Sequence, residues 1–230
     1  LLVGIDPGRA DDTAIVFAQF RGVGAEKRLI WLDAYTKNQM PTEFYAHILT
    51  GIKPELGDDS WVYWDSDGKF RFTDRDKDIM TWLHDVPYSH MRVFCDPAGS
   101  QRPINGLSFI ERLLMTSKQL RAREFPNVPP KGIAAYHKEL FARNRHDQLR
   151  SSMRKLLPNT YFARTVGAER LKHAFENVRF TEPGPNSTGE PAPIHDDHFI
   201  HLIKAAEYLA SYVDMGVAEP KTWEPERRAA

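Results

Sequence analysis

Two short apolar runs in this sequence each end in an aspartate that is followed at once by a proline, and this repeated pattern constrains the fold most. Residues 1–5 lead into Asp6, and residues 91–95 lead into Asp96. Both runs have the length and composition of buried β-strands that stop at a turn. If the two strands are neighbours, their carboxylates meet at one edge of the sheet, on rigid positions that suit a binding site. Turn formation explains either aspartate taken singly.

A third acidic position lies in the segment 194–212, directly before a late amphipathic helix whose predicted apolar face holds Phe199, Ile200, Ile203, Ala206 and Leu209. Asp196 and Asp197 stand near the start of this segment. One of them is explained as a helix cap, but two adjacent acids flanked by histidines exceed what capping needs. The histidines are His195, His198 and His201. Zinc is disfavoured, because His198 and Asp197 are adjacent rather than spaced to share one helix face.

Three carboxylates on two strand ends and a helix start would form an all-oxygen site. Magnesium and manganese ions prefer such ligands. Two of these ions, about 3.5–4 Å apart, can activate a water and stabilise the leaving oxygen when a phosphodiester is hydrolysed. No nucleophile signature surrounds Cys95 or any serine, and no GxxxxGK[ST] stretch is present to bind nucleotide phosphates. The acidic pattern therefore favours two-metal hydrolysis.

Strand and helix patterns alternate along the rest of the chain. The opening strand is followed by an antiparallel hairpin, residues 13–20 and 28–35, and WVYWDSDGKFRF at residues 61–72 predicts a second hairpin, interpreted as an insertion over the core. Helices are expected at 41–49, with Thr42 as a possible N-cap, and at 74–85, 105–123, 140–157 and 168–178. Short strands are expected at 132–136 and 160–163, and a loop at 181–193.

Charge is distributed unevenly along a chain whose totals balance, with 31 basic and 31 acidic residues. Residues 112–172 hold 14 basic and four acidic side chains, which leaves 17 basic and 27 acidic ones elsewhere. This asymmetry predicts a face that contacts phosphates, although a solvated helix face has the same composition. The expected DNA-binding residues are Arg143, Arg145, Arg150, Arg154, Lys155, Arg170 and Lys172.

Length and cysteine content restrict the class of protein. A chain of 230 residues can bury one good core, and two full domains are less favoured. Cys95 is the single cysteine, which excludes an internal disulfide and fits a reducing compartment. No apolar run reaches membrane-spanning length, so we expect no membrane association. Because the chain opens directly on a strand without a methionine, we expect it to be a domain of a longer protein.

Taken in order, these elements resemble the ribonuclease H-like fold: three strands with the first acid, a helix, a strand with the second acid, and a late helix preceded by the third. Within that order, GIDPG with DDTAI, then VFCDPAG, a basic helix, and HDDH before AAEYLASY resemble the C-terminal nuclease domain of tailed-phage terminase large subunits. The resemblance covers residues 3–212. It implies an α/β fold with a mixed central sheet, antiparallel in strands 1–3 and then parallel, flanked by helices. The nuclease domain would span 1–213, with the 61–72 hairpin as an insertion and 214–230 as a polar tail.

The same resemblance implies the roles of individual residues. Asp6, Asp96 and Asp197 would be catalytic ligands of two Mg²⁺ or Mn²⁺ ions, with Asp196 as the alternative to Asp197. Asp12, His198 and His201 would support these ligands. Many members carry an Asp-Ala pair where His201 and Leu202 stand here, so His201 could take the place of a fourth acidic ligand.

The implied function is an endonuclease that cuts concatemeric double-stranded viral DNA during genome packaging. Its partners would be an ATPase motor domain N-terminal in the same polypeptide, the terminase small subunit and the capsid portal, in the cytoplasm of the infected bacterium. Three alternatives stay open: a Holliday-junction resolvase on the same fold, an inactive nuclease fold that binds DNA or docks to the capsid, and an actin-like or sugar-kinase-like phosphotransferase. The last would need a glycine-rich phosphate loop and a second lobe.

Overall fold

The computed structural model describes residues 1–8, 12–22, 27–54, 62–65, 68–86, 91–96, 106–126, 134–136, 146–177 and 199–214. The strands in this part of the chain are β1 (Leu2–Asp6), β2 (Asp12–Arg21), β3 (Arg28–Asn38), β4 (Val62–Asp65), β5 (Gly68–Arg71), β6 (Arg92–Cys95), β7 (Ala134–Tyr136) and β8 (Thr160–Phe162). The helices are α1 (Thr42–Thr50), α2 (Asp74–His84), α3 (Phe109–Glu124), α4 (His146–Leu156), α5 (Val166–Asn177) and α6 (Ile200–Asp214), with a 3₁₀ turn at Leu157–Asn159.

Six of the strands form one mixed sheet in the order β7-β6-β1-β2-β3-β8. Strands β1, β2 and β3 are antiparallel to one another, whereas β6 pairs parallel with β1, β7 with β6, and β8 with β3. All five residues of β1 are buried, as expected for a short apolar run in the middle of a covered sheet. The predicted mixed sheet with three antiparallel opening strands is confirmed.

Helices cover both faces of this sheet. Alternate residues of β1 separate the two layers, because successive side chains of a strand point to opposite faces. Val3 and Ile5 belong to a core with side chains of α1, α2 and α3. Leu2 belongs to a second core with side chains of α4, α5 and α6. The result is a three-layer α/β arrangement with one hydrophobic core on each side of the sheet.

Helix α6 lies directly on the central strand. Eleven of its 15 residues are buried, which leaves little of it in contact with solvent. Gly4 of β1 permits the close approach, because a Cβ at this position would overlap the carbonyl oxygen of Ala205 and lie 3.0 Å from Cβ of Leu209. The late amphipathic helix of the sequence is therefore the helix that packs against β1.

The starts of α3 and α1 differ from their predictions for local reasons. Helix α3 begins at Phe109 rather than 105, because Ser108 and Glu111 form a capping box: the Glu111 amide donates to Ser108 Oγ at 3.2 Å, and the Ser108 amide donates to Glu111 Oε2 at 2.9 Å. Thr42 is not the N-cap of α1. Pro41 takes the extended cap position without a side-chain hydrogen bond, and Thr42 is the first helical residue.

The aromatic hairpin predicted at 61–72 is present as β4 and β5, which pair antiparallel in a two-stranded sheet of their own. Helix α6 ends at Asp214, one residue beyond the predicted boundary of the domain. The Asp214 carboxylate accepts hydrogen bonds from Ser152 and Lys155, which joins the end of α6 to α4. The predicted loop 181–193 and residues 140–145 lie outside the described residues. No helix in the described ranges is long and apolar enough to cross a bilayer.

Candidate metal centre at the edge of the sheet

Asp6 and Asp96 lie side by side at the ends of two neighbouring parallel strands. Ile5 is paired with Cys95 in the register of β1 and β6, and the Asp96 amide donates to the Ile5 carbonyl at 3.2 Å. Ile5 and Cys95 both point into the core formed with α1, α2 and α3. The aspartates, one position further on, therefore face the layer of α6 together. Carboxylates separated by about ninety residues in sequence are adjacent in the fold.

Asp6 is buried, with only 4% of its surface exposed. Burial raises the pKa of its carboxyl, and the nearby charge of Asp96 adds to the increase. The hydrogen bond from His201 and the charge of Lys204 oppose this shift. Ionisation of a buried carboxyl group is unfavourable, because the charge loses its hydration. A bound cation would favour the ionised form. The donor set and its charge thus fit a divalent cation.

Three residues on one face of α6 surround the carboxylate pair. His201 Nδ1 lies 2.8 Å from Asp6 Oδ2; when the carboxyl is ionised it only accepts, and Nδ1 then carries the proton. Lys204 is half-buried, and its charge acts on Asp6. Tyr208 is buried, and burial, followed by the charges of Asp96 and Asp6, raises the pKa of its hydroxyl. Positions 201, 204 and 208 follow the spacing of one helix face.

Glu207 is a buried acid of α6 that the sequence patterns did not single out. It is 6% exposed, and Arg150 of α4, which is 8% exposed, acts on it electrostatically. Burial raises the pKa of Glu207 to about 7, and the charge of Asp6 adds to the increase, whereas Arg150 and Lys204 oppose it. The available signal in the sequence was the one charged residue in the segment AAEYLASY, residues 205–212. Lys204 and Tyr208 were missed too, although their spacing from His201 marks the same helix face.

Cys95 has no nucleophilic character in this setting. It is fully buried, and burial together with the charges of Asp96 and Asp6 raises the pKa of its thiol. Such a thiol stays protonated and is inert. The interpretation of Cys95 as a core residue, without a catalytic role of its own, is consistent with this position.

Some predicted site residues are not among those that the structure describes: Asp196, Asp197, His198, Arg143 and Arg145. Asp12 opens β2, two residues before Ala14, which is the register partner of Asp6. Among the described residues, no group of three or more His, Cys, Asp or Glu side chains could by itself hold a metal ion. The described part of the site offers two carboxylates, and a third ligand from residues 196–197 stays a prediction.

The basic residues predicted to bind DNA have different surroundings. Arg154 and Arg170 are exposed on α4 and α5. Lys155 is exposed and forms an ion pair with Asp214 at 2.8 Å, and Lys172 is exposed 4.0 Å from Glu176. Arg150 differs from its prediction. It is buried, and its charge acts on Glu207. Arg150 is therefore not part of an exposed phosphate-binding surface.

Comparison with known proteins finds similarity in structure alone. No protein-family model matches the sequence, and no curated protein matches it. The fold is similar to that of the large terminase from the thermophilic bacteriophage D6E, with a TM-score of 0.50 and 14% sequence identity. The match covers 92% of this chain and 39% of the terminase chain. At this identity the similarity establishes a terminase-like fold.

Proposed function

We propose that this chain is the C-terminal nuclease domain of a phage terminase large subunit and has a ribonuclease H-like fold. The antiparallel strands β1–β3, followed on the other side of β1 by parallel β6 and β7, support this assignment. So does the terminase-like fold over nearly the whole chain. The activity that we assign to it is metal-dependent endonucleolytic cleavage of concatemeric double-stranded viral DNA during genome packaging.

The observation that carries this proposal is the pairing of Asp6 with Asp96 on the α6 side of two adjacent strand ends. Asp6, Asp96 and either Asp197 or Asp196 would hold two Mg²⁺ or Mn²⁺ ions. When bound, such ions activate a water and stabilise the leaving oxygen of a phosphodiester. Of the protein's own residues, His201 would orient the carboxylate of Asp6, since its Nδ1 lies 2.8 Å from Asp6 Oδ2.

The exposed basic residues of α4 and α5 would contact the phosphates of duplex DNA without reading its bases. These helices lie on the same side of the sheet as α6 and the two carboxylates. A duplex bound along this side would therefore be close to the carboxylate pair. The partners that we propose are the ATPase motor domain, the terminase small subunit and the capsid portal, in the cytoplasm of the infected bacterium.

Replacement of either described carboxylate tests the proposal. Asp6→Asn or Asp96→Asn removes a negative charge from the ion-binding site, and several kcal/mol of transition-state stabilisation correspond to a loss of about a hundredfold or more in rate. The measurement is the nicking and linearisation of supercoiled plasmid in Mn²⁺ or Mg²⁺. Asp74→Asn, at a highly exposed carboxylate in the first turn of α2, is the matched control and should cut like the wild type.

Folding is checked by thermal melting followed by circular dichroism. Asparagine at position 6 should not lower the melting temperature, because the buried carboxylate that it replaces is costly to ionise. Wild-type cleavage rates in a folded Asp6→Asn protein would refute the assignment. Preferential cutting of four-way junctions over linear duplex would point to a resolvase instead. A wild-type chain that binds no Mn²⁺ in calorimetry would point to an inactive nuclease fold.

A further inference from the structure

The turn that follows Asp6 is closed by a side chain of the next strand. Asp6 is the last residue of β1, and Pro7 after it has no amide hydrogen to donate. The first amide beyond Asp6 that can donate is therefore that of Gly8. It donates to Thr13 Oγ1 at 3.2 Å, and the Thr13 hydroxyl donates back to the Gly8 carbonyl at 3.4 Å. One hydroxyl thus binds both backbone groups of the same turn residue.

Thr13 is held firmly by the strands and the helix around it. It is 1% exposed, so its hydroxyl is shielded from water. Thr13 is paired with Lys37 in the register of β2 and β3, and the Lys37 carbonyl accepts a hydrogen bond from the Tyr45 hydroxyl of α1 at 2.9 Å. The sheet and α1 therefore fix the position from which Thr13 holds the turn.

Thr13 lies on the side of the sheet opposite to the carboxylate pair. Ile15 and Phe17, two and four positions further along β2, belong to the core formed with α1, α2 and α3, and Thr13 shares their orientation. Ala14, the register partner of Asp6, belongs to the core on the α6 side. Thr13 therefore acts on Asp6 through the backbone of the turn, not by contact with its carboxylate.

We propose that Thr13 is a positioning residue for Asp6: by closing the turn at Gly8 it fixes the backbone that carries the Asp6 carboxylate before a metal ion binds. This inference rests on the proposed metal site. The carboxylate itself is held by His201, whose Nδ1 lies 2.8 Å from Oδ2. Without the Thr13 hydroxyl the turn would open, and the carboxylate would lose its fixed place beside Asp96. Loss of groups that orient metal ligands typically weakens metal binding by about 10- to 100-fold.

A purely structural role of the Thr13 hydroxyl is the alternative, and Thr50 provides a matched control for it. The Thr50 hydroxyl is also buried, accepts from the Ile52 amide at 3.2 Å and donates to the His47 carbonyl at 3.3 Å. Thr50 is the last residue of α1, which lies on the opposite side of the sheet from α6. Thr50→Val removes the same chemical group from the same kind of hydrogen bonds, but away from the turn at Asp6.

The experiment measures Mn²⁺ binding to the 230-residue chain without DNA, from the electron paramagnetic resonance signal of free Mn²⁺. We expect Thr13→Val to raise the dissociation constant about tenfold, and Thr13→Ser, which keeps the hydroxyl, to stay within about twofold of wild type. Thr50→Val should leave the dissociation constant unchanged. Both valine variants should melt at a lower temperature than wild type, because each leaves backbone groups without a hydrogen-bond partner.

Plasmid cleavage gives a second measurement. Thr13→Val should need about tenfold more Mn²⁺ for its half-maximal rate and should reach the wild-type rate at saturating Mn²⁺, because the ligands themselves are intact. Wild-type Mn²⁺ affinity in a folded Thr13→Val protein would overturn the inference and leave the proposed function intact. Equal weakening in Thr13→Val and Thr50→Val would do the same, since a general loss of stability would then account for it. A wild-type chain that binds no Mn²⁺ would overturn both.

A second pair of substitutions keeps the test decisive if Thr13→Val does not fold. Thr13→Ala removes the hydroxyl without placing a methyl group against the backbone of Gly8, and Thr13→Ser keeps the hydroxyl. We expect the alanine variant to bind Mn²⁺ about tenfold more weakly than the serine variant. Equal affinities in these two variants would contradict the positioning role that we assign to Thr13.

Discussion

The protonation of Glu207 depends strongly on the surroundings of its side chain. The ordinary pKa of a glutamate is near 4.5, and burial on α6 raises the pKa of Glu207 to about 7 even though Arg150 and Lys204 favour its charged form. Between these two values the folded chain binds more protons at this site than the unfolded chain does. Stability from this group is therefore fully present below about pH 4.5 and is lost as the pH rises towards 7.

Glu207→Gln removes this titration while it keeps the size of the side chain. The wild-type unfolding free energy, relative to that of Glu207→Gln, should fall by about 3 kcal/mol from about pH 4.5 to about pH 7. Urea unfolding at several pH values measures the difference. Glu169→Gln, at an exposed position of α5, is the control and should show a constant difference from wild type. Parallel curves for wild type and Glu207→Gln would contradict the buried, protonated state of Glu207.

At the scale of elements, the contact between β1 and α6 determines whether His201 lies within hydrogen-bond distance of Asp6. Gly4→Ala would place a methyl group against the carbonyl oxygen of Ala205 and 2.9 Å from Cγ2 of Val16. The backbone of a buried helix cannot give way locally, so α6 must shift as a unit. We expect a loss of about 2–3 kcal/mol in unfolding free energy and weaker Mn²⁺ binding, because His201 moves away from Asp6.

Gly22→Ala separates these two effects. Gly22 is exposed and has a φ of 84°, so alanine there strains the backbone and costs about 1 kcal/mol without moving α6. Urea unfolding and Mn²⁺ titration of both variants give the comparison. Unchanged Mn²⁺ affinity in a destabilised Gly4→Ala protein would show that the metal site does not depend on the position of α6 against β1.

For the whole molecule, the two helical layers differ in what they present to a partner. The layer of α4, α5 and α6 holds the carboxylate pair and the exposed basic residues, whereas α1, α2 and α3 form the layer behind the sheet. Neutralising Arg154, Arg170 and Lys172 together as glutamines should weaken binding to duplex DNA for every sequence. It should also lower the slope of log affinity against log salt by about one for each phosphate that the protein no longer neutralises.

Fluorescence anisotropy of a labelled duplex over a range of salt concentrations measures this slope. Lys172→Gln and Lys118→Gln form the matched pair, since both lysines are exposed but Lys118 lies on α3, behind the sheet. The first should lower the slope and the second should leave it unchanged. Equal effects of the two substitutions would show that charge acts on DNA through the whole molecule rather than through this layer.

Agreement between sequence and structure follows the range of the forces involved. The sequence alone determined the opening hairpin, the aromatic hairpin at 61–72 and the two strands that end at Asp6 and Asp96, because alternation and turn residues act over a few neighbours. Helix starts were predicted less accurately. The capping box of Ser108 and Glu111 sets the start of α3 at Phe109, and the spacing of apolar residues does not show where such a cap forms.

Only the tertiary structure decided that β6 lies beside β1, so that Asp6 and Asp96 become neighbours. It also decided that Arg150 is buried, where its charge acts on Glu207. These relations depend on which helix covers which face of the sheet and on how closely Gly4 lets α6 approach. Burial and long-range contacts are properties of the packed chain, and no local pattern in the sequence specifies them.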